Sequence, residues 1–450
     1  MNAIEGKNEV DLVLDAATIP GDRGLSSRNA LPAVIIIGPP WPRSGTGRVI
    51  ESQIQFYRER GYQTIFIAAP FRSSYGRNSP IWNDISDGLK ELGADHTLWA
   101  TIEPREVTLA KYVATVRHGY RGTVLDWLVA VGRLGRLTTE SMHLLRSLPV
   151  ALFHVNHVFT LEFALRLKRR LLGRRSRIPI ILETHDVQSH MLEEKQEPNP
   201  WFRRPDRVER LLKSEIAQLG IPNALIHLSS NDLDFFQRKL PSQAHFLAFP
   251  TIDEGFISLV NETTPLTELI DLLFVADWHP PNLAAIQWYS EQVWPLLAER
   301  DFNFKVVGRI GRLVEGQAPQ LYDKFRCWFV GEVGNLAPFY RSARCVIAPM
   351  VSGSGISIKT IEAFALGKAF VGTSKAFRGM PMEQLQKMGI HSFDQPAAFA
   401  NAIVSTLDNV KAAEHSSRIA YKELFSKEAS FAVRTHAIAV AFKESSPAQH

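Results

Sequence analysis

Residues 348–374 read APMVSGSGISIKTIEAFALGKAFVGTS, and they hold the chain's clearest provision for chemistry. An apolar run ends at Met350, Gly353-Ser354-Gly355 follows, and a helical pattern opens near Ser357. Glycine here lets the backbone approach a ligand closely and take positive φ. A helix N-terminus after such a loop offers free amides and partial positive charge, which suit a phosphate. Lys359 in the first turn adds a full charge, and Glu362, three residues on, shares its face. The Glu362 carboxylate can accept hydrogen bonds from two adjacent hydroxyls, such as a ribose 2′,3′ pair. A diphosphate beside a ribose is what a nucleotide-sugar presents. On its own, a Lys359–Glu362 pair is a surface contact worth roughly a few tenths of a kcal/mol. The glycine loop, the strand end and the apolar AFALGKAFVGT that follows all favour the ligand reading instead.

Histidines form the second group. His154 and His157 lie in LFHVNHVF, and His185 with Asp186 lies in LETHDVQSH. Imidazole at a strand end can hydrogen-bond a substrate or shuttle a proton. A core histidine satisfied by its neighbours is the plain alternative. His157, His185 and Asp186 each follow a strand directly, so they are the catalytic candidates. Other motifs fail. Gly38 to Arg48 lacks the Gly-Lys-Ser/Thr of a P-loop, and Gly45-Thr46-Gly47 lacks the third glycine of a dinucleotide fingerprint. There is no HExxH and no CxxC. Neither a metal nor a resident cofactor is expected.

The elements that must position these residues are short apolar runs alternating with helical stretches. LPAVIIIGPP, YQTIFIAAP, PVALFHV, IPIILETHD and NALIHLSS read as strands buried on both faces, the habit of parallel sheets. A second series begins near 270 with DLLFVADW, FKVVGRI, WFVGEV, RCVIAPM and KAFVGTS. Residues 84–148 read as mainly helical, and 246–269 as an unstructured linker. The expected fold is α/β: two doubly wound, Rossmann-like domains facing a cleft, with ligands at the carboxyl ends of the strands. Its boundaries are a flexible lead-in over 1–30, a first domain over 31–250, a second domain over 270–425, and a helix over 426–450 that returns to the first domain.

With 450 residues the chain is long enough for about two domains. Its 45% apolar and 22% charged composition rules out a mainly disordered or low-complexity protein. A net charge of +5 is too small to argue for nucleic acid, and two cysteines cannot build a disulfide framework. No signal peptide or membrane-spanning run is evident, so the expected location is the cytoplasm.

Glu362-Ala363, Ala365, Gly367 and the following AFV resemble the signature of family 4 retaining glycosyltransferases, which have the GT-B fold. The likeness is specific over about 271–380, and looser in PPWPRSGTGRV, ILETHDVQS and FPTID. It implies a glycosyltransferase moving a sugar from a nucleotide-diphosphate donor to a hydroxyl of a glycan or lipid-linked glycan, in bacterial surface polysaccharide or glycolipid synthesis. By position, Glu362 would bind the donor ribose, and Lys359 and Arg309 would face the diphosphate. The backbone near Val333 would hold the base, and Gly353 and Gly355 would cradle phosphate or sugar. Gly45 and Gly47 would form the first domain's glycine loop, which meets the donor across the cleft. Two departures stand out. Ser354 replaces the family's second glutamate, and ADWHPPN offers only His279 and Asn282 where a basic pair is usual. They motivate alternatives: a retired, nucleotide-binding assembly subunit, or a nucleotide-sugar epimerase. Finally, RLKRRLLGRRSR over 166–177 holds seven basic residues and no acid. It reads either as a solvated helix end or as a contact with an anionic membrane on the inner leaflet.

Overall fold

The computed structural model describes residues 31–42, 44–70, 82–118, 124–190, 205–353 and 355–445. The lead-in over 1–30 and Ser354 lie outside these. The chain divides into two compact units, one of residues up to Ala248 with Phe431–His450, the other Phe249–Ser430.

The first unit is built on seven strands: β1 Ala33–Gly38, β2 Gln63–Ala68, β3 His96–Trp99, β4 Val150–Asn156, β5 Ile180–Thr184, β6 Ala224–His227 and β7 His245–Leu247. They pair in parallel in the order β3-β2-β1-β4-β5-β6-β7. β1 shows why its apolar run folds this way. All six residues are buried, and alternate side chains supply opposite faces. Val34 and Ile36 join Ile50, Ile54 and Tyr57 of the helix Gly45–Arg58. Ile35 and Ile37 join Leu161, Phe163 and Leu167 of the helix Leu161–Leu172. The helix Lys427–Ser445 contributes Phe431, Ile438 and Ala441 to the first of these clusters. Each such large side chain, fully buried, stabilises by about 1.5–3 kcal/mol.

The second unit has five parallel strands: β8 Ile270–Val275, β9 Phe304–Val307, β10 Phe329–Gly331, β11 Ala343–Ala348 and β12 Ala369–Gly372, in the order β10-β9-β8-β11-β12. The strand order therefore reverses once in each sheet, between β1 and β4 and between β8 and β11. Crevices at such switch points are where open α/β sheets bind ligands.

Two expectations need correction. The supposed linker over 246–269 contains the end of β7 and a helix, Glu254–Glu262. Asp253 caps that helix by accepting from Phe256 N, and Val260 anchors it in the core beside Ile270 and Tyr340. The mainly helical stretch over 84–148 also contains β3, a sheet-edge strand only half-buried along its length.

Candidate active site

In the second unit the β8 and β11 ends bring together residues far apart in sequence. The turn after β11 holds Gly353 at φ 123°, and the helix Ile358–Ala365 follows. Ser357, the residue at that helix's N-cap, makes no capping hydrogen bond with its side chain to the described residues. Lys359 Nζ donates to Asn282 Oδ1 at 2.7 Å, lies 3.8 Å from Met350 Sδ, and sits 4.7 Å from the centroid of the Phe274 ring. Burial of the amine pushes its pKa down to about 7, helped by Arg378 and opposed by Glu362 and Asp277. Asn282 is itself held, donating from Nδ2 to the Asp277 carbonyl at 2.8 Å. The Asp277 carboxylate takes both Arg309 donors, Nε and Nη2, at 2.6 Å each. That bidentate bond is the main cause holding the Asp277 carboxyl below its usual range.

Arg378 is a cation that the motifs did not reveal. It follows β12, and a Cβ on Gly353 would come within 3.3 Å of its guanidinium carbon. Glycine is thus required there twice over, for its φ and for the close approach of Arg378. Arg378 Nη1 donates to the Lys375 carbonyl at 2.9 Å, which fixes the side chain over the glycine loop. Glu362 is half-buried, and its Oε2 accepts from Tyr340 OH at 3.4 Å. Thr360 anchors the helix below by donating to the Ala376 carbonyl at 2.7 Å. Lys359 and Arg378 gather positive charge beside the start of that helix, and one carboxylate sits a turn beyond. This arrangement can hold a diphosphate and stabilise charge growing on it.

In the first unit the β1 and β4 ends meet in the same way. Thr46 Oγ1, in the first turn after β1, lies 3.0 Å from His157 Nε2. His157 follows β4 and holds φ 65°, a region that non-glycine residues rarely adopt. Its ring stacks on His185, with centroids 3.9 Å apart and planes 15° apart. Its Nδ1 is buried and finds no hydrogen-bond partner among the described residues. Burial, with His185 adding to it, drives the His157 pKa well below the usual value. His185 falls to about 4, chiefly through burial. Both rings are therefore neutral at pH 7.

A buried polar network supports this turn. His185 Nε2 lies 3.0 Å from Asn156 Oδ1. Asn156 and Gln53 exchange amide hydrogen bonds at 2.8 and 2.9 Å. Gln53 Nε2 also donates to Glu183 Oε2 at 2.8 Å. Glu183 is fully buried and receives Arg434 Nη1 and Nη2 at 2.5 and 2.9 Å. Burial alone would raise its carboxyl; the Arg434 charge instead holds it far below the usual range. His154 Nε2 approaches the same carboxylate at 3.0 Å, and Tyr57 OH lies 2.8 Å from its Nδ1.

The other expected residues fall as follows. Gly45 is exposed at the helix start, whereas Gly47 is buried with its Cα against the Pro42 carbonyl. Val333 is half-buried beyond β10 and packs on the cluster that holds Tyr340. Gly355 takes φ 65°. Asp186 is half-buried and adds its charge to Glu215, whose carboxyl burial has pushed up to about 7. Of the charges felt by His185, Glu183 comes first. The sequence reading missed Arg378, Gln53, Asn156, Glu183 and Arg434. One signal was present: a glutamate inside the apolar IPIILET run that forms β5 needs a buried partner.

Residues 270–409 match the family model described as "Glycosyl transferases group 1". No curated protein matches the chain. Among solved structures, HepE of Anabaena in complex with UDP superposes with a TM-score of 0.57 at 10% identity, over 91% of this chain and all of that one. A glycosyltransferase from Rickettsia africae gives 0.56 at 12% identity, over 93% and 100%. The α,α-trehalose 6-phosphate synthase of Burkholderia multivorans gives 0.53 at 12% identity, over 92% and 98%. At these identities the likeness establishes the fold, which is GT-B.

Proposed function

We propose a nucleotide-diphosphate sugar as donor and a glycan or lipid-linked glycan hydroxyl as acceptor, from the premise that residues 270–409 match the glycosyl transferases group 1 model. The observation that carries this reading is the positive cluster at the second sheet's switch point, where Lys359 and Arg378 lie beside the start of the helix Ile358–Ala365. That cluster suits a leaving diphosphate, and Glu362 suits the adjoining ribose. Arg309 is engaged by Asp277, so it would turn to the donor only by sharing that carboxylate. Gly353, Ser354 and Gly355 would bring backbone amides to the phosphates. The backbone near Val333 would take the base. UDP is the first nucleotide to try, because the Anabaena protein is described with it.

Lys359 and Arg378 would lower the barrier by holding positive charge ready where the diphosphate departs. His157 would serve the acceptor side, while Gly45 and Gly47, which open the helix Gly45–Arg58 rather than a loop, would face the donor. The Nδ1 of His157, without a partner among the described residues, and its positive φ support the placement of His157. In a retaining transfer the departing diphosphate would take the acceptor proton, so neither neutral histidine need act as base. No metal or resident cofactor enters the proposed reaction. The basic run over 166–177 would place the protein peripherally on the inner face of an anionic membrane.

A thermal-shift panel of nucleoside diphosphates and their sugars, on wild type and Lys359→Ala, tests the donor site. A ligand at about 100 times its dissociation constant adds about 2.7 kcal/mol. A shift with one nucleotide, lost in the variant, is expected. No shift with any nucleotide would sink the reading. Turnover of donor without acceptor would indicate an epimerase, and binding without any turnover a retired subunit.

A further inference from the structure

Apart from the switch point, the first unit holds a pocket of about 340 Å³ with Arg146, Arg166 and Arg170 on its lining. Its apolar wall comes from Leu137, Met142, Phe163 and Leu167. The sequence explains how two helices share it. Phe163, Arg166, Leu167 and Arg170 fall at i, i+3, i+4 and i+7 of the helix Leu161–Leu172, one continuous face. Met142 and Arg146 are i and i+4 of the helix Thr139–Ser147. Each helix thus turns apolar surface and guanidinium toward the same hollow.

The neighbouring cations are occupied. Glu162 holds Arg133 at 3.0 Å and Arg169 at 4.0 Å, and Glu106 holds Arg136 at 2.5 Å. Among the described residues, no carboxylate lies within ion-pair distance of Arg146, Arg166 or Arg170. Arg166 carries a cost from this crowding. Burial lowers its pKa first, then Arg170, with Arg169 and Arg133 adding to it against Glu162. An anion in the pocket relieves that repulsion. Guanidinium forks match phosphate oxygens in geometry and bind them bidentately. A bare phosphate would leave the Leu137, Met142, Phe163 and Leu167 wall unused. A phosphate attached to hydrocarbon uses both parts. The exposed Arg169, Arg170, Arg174, Arg175 and Arg177 continue outward from the pocket, which suits a site lying at a charged surface.

We propose that this pocket captures the phosphate of an anionic membrane lipid between Arg146, Arg166 and Arg170, with the adjoining hydrocarbon against the apolar wall. The proposal rests on the reading that the 166–177 run meets an anionic membrane, and makes it specific: one lipid per pocket rather than a diffuse charged face.

The test compares Arg166→Gln/Arg170→Gln with Arg174→Gln/Arg175→Gln, which removes the same charge outside the pocket. Circular dichroism and melting temperature check that both variants fold. Calorimetry uses dihexanoyl phosphatidic acid below its micelle concentration, and inorganic phosphate. Flotation uses phosphatidylcholine vesicles with and without phosphatidylglycerol. The short-chain lipid is expected to bind wild type and the outer variant one to one. The pocket variant should bind about a hundredfold more weakly, the scale of two lost charge-assisted contacts at about tenfold each. Flotation on anionic vesicles should fall further for the pocket variant than for the outer one. Inorganic phosphate binding as tightly as the lipid would overturn the lipid assignment. Equal loss of flotation in both variants, with no saturable short-chain binding, would overturn the pocket while leaving the diffuse surface reading intact. Saturable short-chain binding without flotation would overturn the membrane as the source and leave a pocket for a soluble amphiphilic phosphate.

Discussion

Donor binding should take up a proton near neutral pH, and Lys359 is the reason. Its amine is pushed from 10.5 down to about 7 in the free protein. A diphosphate placed against it favours the charged form, so the bound state needs Lys359 protonated. Affinity then scales as the protonated fraction of the free protein. Between pH 6 and pH 8 that fraction falls from about nine-tenths to about one-tenth, so the dissociation constant rises about tenfold, or about 1.4 kcal/mol. At pH 8 each binding event should take up about 0.9 proton. Glu362 and His279 also face the amine, so a control at Lys359 itself must assign the proton. Arg378 and Arg309 stay charged, Asp277 titrates below its usual range, and His279 is lowered below its ordinary 6.5, mainly by burial. A nucleotide-diphosphate sugar keeps both phosphate charges throughout.

The assay is isothermal calorimetry with the nucleotide-sugar that binds, in two buffers of different ionisation enthalpy at each pH. Lys359→Arg is the control. Arginine stays protonated, so its affinity profile should be flat and its proton uptake near zero. A wild-type affinity constant from pH 6 to pH 8, with no buffer dependence of the heat, would refute the reasoning. The free protein carries the same shift with its own sign. The unfolded chain keeps Lys359 protonated up to its ordinary 10.5, while the folded chain releases that proton near 7. Folding therefore sheds a proton in this window, and this residue's contribution to stability rises with pH across it.

Three further outcomes follow from the geometry. Glu362→Gln should lower kcat/KM by about 10–100-fold, the loss of one or two hydrogen bonds to a charged group, with little change in melting temperature; steady-state kinetics beside a melt check both. Glu183→Gln should cost about 3–5 kcal/mol in urea unfolding because it strands the buried Arg434 charge, and adding Arg434→Met should recover much of that; Glu183 is depressed in the fold, so its contribution is present above its unfolded value of 4.5 and lost as acid protonates it. Gly47→Ala should destabilise by about 1–3 kcal/mol, since its Cβ meets the Pro42 carbonyl, whereas Gly45→Ala at the exposed helix start should not; equal melting temperatures for the two variants would contradict the packing argument.

What the sequence revealed follows from how far each signal reaches along the chain. β1, β4, β8 and β11 are buried on both faces, so their apolar runs stood out unaided. β3 and β7 are short, half-buried edge strands, and their residues look like those of loops. Lys359 and Glu362 were legible because loop, helix and carboxylate lie within one short segment. Arg378 was not, because it reaches Gly353 only after β12 has paired beside β11. The Thr46–His157 contact spans 111 positions and exists only because β1 and β4 are neighbours at the reversal of strand order.

The C-terminal helix shows what such long-range pairing accomplishes. Arg434 is 1% exposed, and its two donors fill a carboxylate that no water reaches. That carboxylate also receives Gln53 and His154, and Gln53 locks Asn156, which holds His185 beneath His157. The strained His157 turn is thus supported by a chain of polar contacts ending on a residue near the C-terminus. A buried ion pair contributes little net stability over an apolar replacement, but losing one partner is severe. Its value here lies in orientation. Apolar side chains could fill the same volume, yet they could not fix the amide of Asn156 or the ring of His185. The helix Lys427–Ser445 therefore belongs to the first unit's site as much as β4 does, although no motif in its sequence marks it.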